Sequence, residues 1–175
     1  MIRKIAVAAG ACAVISLAAA AQAVDGASVE LGRGDDRTNL LRFAVQWNWR
    51  SAWPAGRQWR LGGYWELSAG AWGNHDKSSA DFALTPVFRL ERHADAHSPY
   101  LEAAIGFHIL SRHISRERLF STNFQFGDHL GAGVRFGAGG RYDLGLRLQH
   151  ISNGGIREPN PGIDFLMLRL QHHFE

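Results

Sequence analysis

An all-β, eight-stranded antiparallel transmembrane β-barrel is the fold this 175-residue sequence predicts, on three observations. After the first two dozen residues the apolar positions alternate with a period of two, and no window places them at i, i+3, i+4 and i+7 as a helix would. About eight such stretches can be counted, and a strand needs roughly 9–11 residues to cross a bilayer. The faces opposite the apolar ones carry Arg, Glu, Gln, Asn and Gly, the filling of a small membrane barrel; a soluble sandwich or lipocalin-like cup would turn its apolar face inward. Twenty glycines and six tryptophans suit packed strands and aromatic girdles.

The elements follow in order. Residues 1–23, MIRKIAVAAGACAVISLAAAAQA, place Arg3 and Lys4 before an apolar run that ends in Ala21-Gln22-Ala23, the pattern of a cleaved signal peptide. The exported chain is then a single barrel domain over 24–175. The only cysteine, Cys12, lies in the signal, so the exported chain has no thiol for a disulfide or a metal. Of the 19 basic residues, Arg3 and Lys4 leave with the signal, so 17 face 16 acids. That near balance excludes the clustered positive charge of a nucleic-acid binder.

A short first strand is expected around Ser28 to Leu31. Leu41, Phe43, Val45, Trp47 and Trp49 then alternate with Arg42, Gln46 and Asn48; Trp59, Leu61, Gly63, Trp65 and Leu67 alternate with Arg60, Tyr64, Glu66 and Ser68. Phe82, Leu84, Pro86, Phe88 and Leu90 form the fourth apolar face, and Leu101, Ala103, Ile105, Phe107 and Ile109 the fifth. Leu130 to Phe136, Tyr142 to Leu148 and Leu166 to Phe174 supply the last three. With the N-terminus in the periplasm, outward loops fall near Gly34-Asn39, Gly73-Ser79, Ser111-Asn123 and Asn153-Ile163, and periplasmic turns near Arg50-Arg57, Arg92-Ser98 and Gly137-Arg141.

Chemistry concentrates in the last hairpin. Leu144, Leu146 and Leu148 face lipid, and His150 and Ser152 continue their parity, so both side chains should leave the barrel outward. Two residues along a strand span about 6.6 Å, close enough for a base and a nucleophile that lean together. Counting back from Leu170, Leu168 and Leu166, the same parity reaches Asp164, which an antiparallel hairpin sets beside His150 as the acid of a Ser-His-acid triad. Asn153 follows the serine and is the candidate oxyanion donor. Asp128 shares the phase of Leu130, Ala132 and Val134, which aims a carboxylate at lipid unless a bulge intervenes and suggests a supporting role at the site. His172 and His173 point to opposite faces, a poor metal site; no metal and no cofactor are expected.

The run His150-Ile151-Ser152-Asn153, followed by Pro159-Asn160-Pro161-Gly162 and a closing apolar strand, resembles the C-terminal signature of the PagL-type outer-membrane lipid A 3-O-deacylases. The resemblance extends to Phe126-Gly127-Asp128, to the length and to the signal peptide. It implies metal-free hydrolysis of the ester at the 3-position of lipid A, with Ser152 as nucleophile, His150 as base and Asn153 as oxyanion donor. The family's acid is typically a glutamate, so Glu158 in the loop stands as the alternative to Asp164. The seventh strand runs outward, which brings the pair to the leaflet that holds lipid A, and Arg112, Arg116 and Arg118 of the third outward loop are candidate phosphate-binding residues.

The expected setting is the Gram-negative outer membrane, crossed many times after signal cleavage. Expected partners are lipid A of lipopolysaccharide and other outer-membrane lipids, with a homodimer admitted and nucleic acid excluded. Two competing functions remain: a non-enzymatic barrel that is structural or binds lipopolysaccharide, and an outer-membrane phospholipase or acyltransferase.

Overall fold

The computed structural model of the protein describes residues 24–74, 78–93, 97–111 and 120–174. The expected signal peptide and the loop arginines Arg112, Arg116 and Arg118 therefore lie outside the described residues.

Eight long strands form the wall: β1 (Gly26–Gly34), β2 (Asn39–Asn48), β3 (Trp59–Gly73), β4 (Ser78–Arg92), β5 (Ser98–Leu110), β6 (Phe124–Phe136), β7 (Tyr142–Ser152) and β8 (Ile163–His173). Each pairs antiparallel with its sequence neighbours, and β1 pairs with β8, so the ring closes and no strand edge faces lipid. Closure lets every strand satisfy its backbone groups inside the ladder, which a bilayer demands because its core offers no water.

Side-chain parity sorts the residues as the sequence pattern predicts. Leu130, Ile105 and Leu148 are 67%, 66% and 64% exposed, and with the other outward residues they make an apolar wall. The interior is charged and largely buried. Arg147 donates to Glu30 at 2.5 Å, to Glu102 at 2.6 Å, to Tyr64 at 2.7 Å and to Glu66 at 3.0 Å. Arg89 reaches Asp143 at 2.5 Å and Glu102 at 3.0 Å, and Arg42 reaches Asp81 at 2.8 Å. Each planar guanidinium presents its donors as a fork, so one arginine ties carboxylates from several strands at once. His172 stacks outside with Tyr142 at 5.2 Å, while His173 meets Asp143 inside at 3.0 Å.

At the outer end the filling changes character. Leu40, Trp72, Leu110, Phe120, Ile151, Ile163, Phe165 and Met167 form a buried apolar cap over the polar network. Trp72 meets Phe120 and Phe165 edge-on at 5.9 and 5.8 Å. Ile151, Ile163 and Phe165 belong to this cap, so the inner face of the β7–β8 hairpin is anchored in apolar packing just where its outer face carries His150, Ser152 and Asp164.

Three expectations change. The first strand is not short: it runs nine residues, because Gly32 and Gly34, which look like breaks, pair with Met167 and Phe165 of β8. The segment Arg50-Arg57 is not a simple turn, since Trp53–Pro54 adds a two-residue strand against Leu61 and Arg60 of β3. No bulge rescues Asp128; β6 pairs with β7 without interruption and its carboxylate stays on the outer face.

Candidate active site

The registers of β6, β7 and β8 place Asp128 opposite His150 and His150 opposite Asp164, one row of three side chains on the outward face. One step toward the membrane centre the matching row is Leu130, Leu148 and Leu166, purely aliphatic. A charged row therefore sits at the upper edge of an apolar wall, where an amphiphile places the junction of its headgroup and chains.

His150 Nδ1 lies 2.6 Å from Asp164 Oδ1, with the imidazole 42% and the carboxylate 71% exposed. This contact fixes the tautomer: the carboxylate accepts the Nδ1 proton and leaves Nε2 with a lone pair. Asp164 is itself held, because its backbone N–H donates to Asp35 at 3.3 Å. Asp128, on the far side of the imidazole, shares the row without forming such a bond.

Ser152 ends β7 on the same outward parity, half-buried and paired with Phe126. Among the described residues its hydroxyl has no hydrogen bond to His150, so the acid–base half of a triad is assembled and the base–nucleophile half is open. Such contacts often tighten only when substrate is bound. Phe126 packs with Phe124 and Phe107 at 5.0 and 6.1 Å, so the wall beside the serine is aromatic.

The two candidate acids stand in different places. Glu158 accepts the backbone N–H of Asn160 at 2.9 Å within its own loop, whereas Asp164 is at the imidazole. The expectation for Asn153 needs correction. Its parity is inward and it is fully buried; its Nδ2 donates to Arg157 O at 2.7 Å and Ser121 Oγ at 3.0 Å, its N–H to Asn160 at 2.9 Å, and its Oδ1 accepts from Gly155 at 2.9 Å. Both hydrogens of the amide are engaged within the loop in this structure, so the side chain ties the loop together.

Two residues of the site escape a sequence reading. Gly162 closes the Pro159-Asn160-Pro161-Gly162 run, has φ +62, and directly precedes Ile163, where pairing of β8 with β7 begins. A Cβ on it would come within 2.5 Å of His150 Cε1 and 3.0 Å of Nε2, so the imidazole rests directly on the glycine backbone. The signal that could find it is the register itself, extended from the hairpin. Arg33 lines the same surface groove as Asp35, Asp128, His150 and Asp164, and donates to Asn39 at 2.5 Å. Its outward parity with Leu31 marks it as a cation at the rim of the lipid face.

Comparison with known proteins gives a consistent result. The family described as Lipid A 3-O-deacylase (PagL) matches residues 40–173. The chain is similar to the lipid A deacylase PagL of Pseudomonas aeruginosa, 32% identical over 148 residues that cover 83% of this chain and 84% of that protein. It is also similar to the lipid A deacylase PagL of Bordetella bronchiseptica, 30% identical over 157 residues, 85% of this chain and 83% of that one. Among solved structures it matches the crystal structure of the outer membrane enzyme PagL with a TM-score of 0.78 at 28% identity, covering 84% of this chain and 98% of the other. Neisserial surface protein A shares the fold, with a TM-score of 0.52 at 12% identity over 85% of this chain and 95% of its own.

Proposed function

The chain belongs to the lipid A 3-O-deacylase (PagL) family, and from that premise we propose that it hydrolyses the 3-O-linked acyl ester of lipid A as a serine esterase and so remodels the outer leaflet. Membership makes it a hydrolase of the outer membrane with an eight-stranded barrel fold. The mechanism is carried by one observation: the 2.6 Å contact of His150 Nδ1 with Asp164 on the lipid-facing side of the barrel, two residues from an outward Ser152.

In this reading Asp164 orients His150 and stabilises the imidazolium. His150 Nε2 accepts the proton of Ser152 Oγ as that oxygen attacks the ester carbonyl. The tetrahedral intermediate collapses by breaking the bond from the acyl carbon to the 3-oxygen of the sugar, which takes the proton from His150 and leaves as a hydroxyl. A water then attacks the acyl-serine with His150 again accepting its proton, and the free 3-hydroxy fatty acid departs with Ser152 regenerated. Asn153 supports this by fixing the turn that carries Ser152.

The location of the groove supports the same substrate. A nucleophile on the outer wall meets a substrate that is already in the membrane, and the leucine row beneath it accepts acyl chains without leaving polar groups unpaired. The test is the mass spectrum of lipid A from cells that express the protein or its Ser152→Ala form. The wild type should remove one 3-hydroxyacyl group, and Ser152→Ala should leave lipid A intact while the barrel still folds. Loss of that acyl group in cells with Ser152→Ala would remove the serine from the mechanism.

A further inference from the structure

The end of the barrel opposite the site carries a structure that deacylation does not use. Beyond the point where β2 leaves the wall, the β3–β4 hairpin continues: Trp59 pairs with Arg92, Arg60 with Glu91 and Leu61 with Leu90. The small strand Trp53–Pro54 adds to Leu61 and Arg60, the Ala55 N–H donates to Trp59 O at 2.9 Å, and the His93 N–H donates to Gln58 O at 2.7 Å. The product is a three-stranded tongue at the end that holds both termini, the periplasmic end in the orientation read above.

Its chemistry divides into two zones. Trp53, Leu61 and Leu90 stand in one paired row that continues to Leu101, so the lipid-facing wall extends onto the tongue; Trp53 is 53% exposed. Past that row come Arg50, Arg57 and Arg92, all exposed, with His93 beside them, while Arg60 has the inward parity of Tyr64 and stands opposite Glu91 at the barrel mouth. Arg92 meets only the neutral Gln58, at 3.3 Å, and among the described residues Arg50, Arg57 and Arg60 have no carboxylate partner. Among the described residues of the tongue the one acid is Glu91, and Arg135 engages it at 3.3 Å. The interior arginines, by contrast, are bound to carboxylates.

A tryptophan at the lower edge of an apolar wall followed at once by free guanidiniums matches the order of layers at a membrane surface: acyl chains, interface, then phosphate. We propose that the tongue is a binding surface for anionic glycerophospholipid headgroups of the periplasmic leaflet. Trp53 sits at the interface while Arg50, Arg57 and Arg92 engage the phosphates. Guanidinium suits this occupant because its fork matches phosphate oxygens in pairs. The tongue thereby fixes the height and tilt of the barrel from the leaflet that contains no substrate.

The experiment uses the folded, purified full barrel in detergent micelles doped with equal amounts of phosphatidylglycerol and phosphatidylcholine. Native mass spectrometry counts the lipids that remain bound. The wild type should retain phosphatidylglycerol over phosphatidylcholine by about tenfold, since each cation near a lipid phosphate contributes on the order of a kcal/mol. A variant with Arg50→Gln, Arg57→Gln and Arg92→Gln should lose that preference, and the variant with lysine at the same three positions should keep part of it. Heat-shifted gel mobility verifies that each variant is folded. Equal retention of the two lipids by the wild type, or an undiminished preference in the glutamine variant, overturns the proposal. So does a glutamine variant that loses no lipid but no longer sediments with peptidoglycan, which would assign the cations to the wall polymer.

Discussion

Replacing Gly162 by alanine tests whether the backbone of the loop sets the position of the base. The new Cβ would lie 2.5 Å from His150 Cε1 and 3.0 Å from Nε2, where carbon atoms in ordinary contact stand about 3.5–4.0 Å apart. The ring must therefore retreat by roughly 1 Å, which is enough to turn the 2.6 Å bond to Asp164 into a separation of about 3.6 Å, no longer a hydrogen bond. A misplacement of about 1 Å costs on the order of 10²-fold in rate. Strain adds a second effect, since φ is +62 at this position and a residue with a Cβ costs about 1–2 kcal/mol there. Gly139→Ala isolates that second effect: Gly139 has φ +67 in the turn between β6 and β7 and nothing within 4 Å of an added Cβ. Both variants should lose similar stability in urea, while only Gly162→Ala should lose about 10²-fold in kcat for fatty-acid release, with KM little changed. Its rate of labelling by an alkylphosphonate, which reads Ser152 activation without lipid A, should fall in parallel. If Gly162→Ala keeps kcat within about threefold of wild type, the imidazole is not confined by this glycine and the argument fails.

Asp164→Asn should lower kcat by about 10²–10⁴-fold. Glu158→Gln and Asp128→Asn should each cost far less, because neither carboxylate bonds to the imidazole; a larger loss in Glu158→Gln would transfer the acid role to the loop. Asn153→Ala removes the side-chain hydrogen bonds to residues 121, 155 and 157, so the loop should become sensitive to protease and stability should fall by about 1–3 kcal/mol. Full activity with intact protease resistance would contradict its role as the tie. Arg147→Met leaves Glu30, Glu66 and Glu102 with an uncompensated buried charge and should destabilise the barrel by about 3–5 kcal/mol. The urea midpoint should move while activity per folded molecule does not, since the network faces inward.

Much of the architecture is legible because a membrane barrel obeys a strict rule of two. Leu144, Leu146 and Leu148 define a phase, and a continuous strand has no freedom to break it, so the outward aim of His150 follows from counting. The same counting found Asp164, fourteen residues away, because a hairpin fixes which residues oppose each other. It failed at positions where a glycine or a loop decides. Gly32 and Gly34 hide the length of β1, since strand pairing with β8 overrides their poor intrinsic preference. Asn153 has the right residue type at the right spacing for an oxyanion donor, yet its parity is inward, and the partners that claim its amide come from two separate loops.

The alternation of residue types by itself determined the two faces of each strand and the outward aim of His150, Ser152 and Asp164, and gave a strand number of about eight. Those follow from local geometry, in which each residue's direction is fixed by the one before it. Only the tertiary structure decided which carboxylate holds His150, that Ser152 and His150 are not yet bonded, and that Gly162 is the floor beneath the imidazole. These depend on how a loop of ten residues folds back between β7 and β8, and on the apolar cap of Ile151, Ile163 and Phe165 that holds the hairpin from behind. Distances of a few tenths of an ångström separate a hydrogen bond from a near miss, and no periodicity in a sequence encodes them.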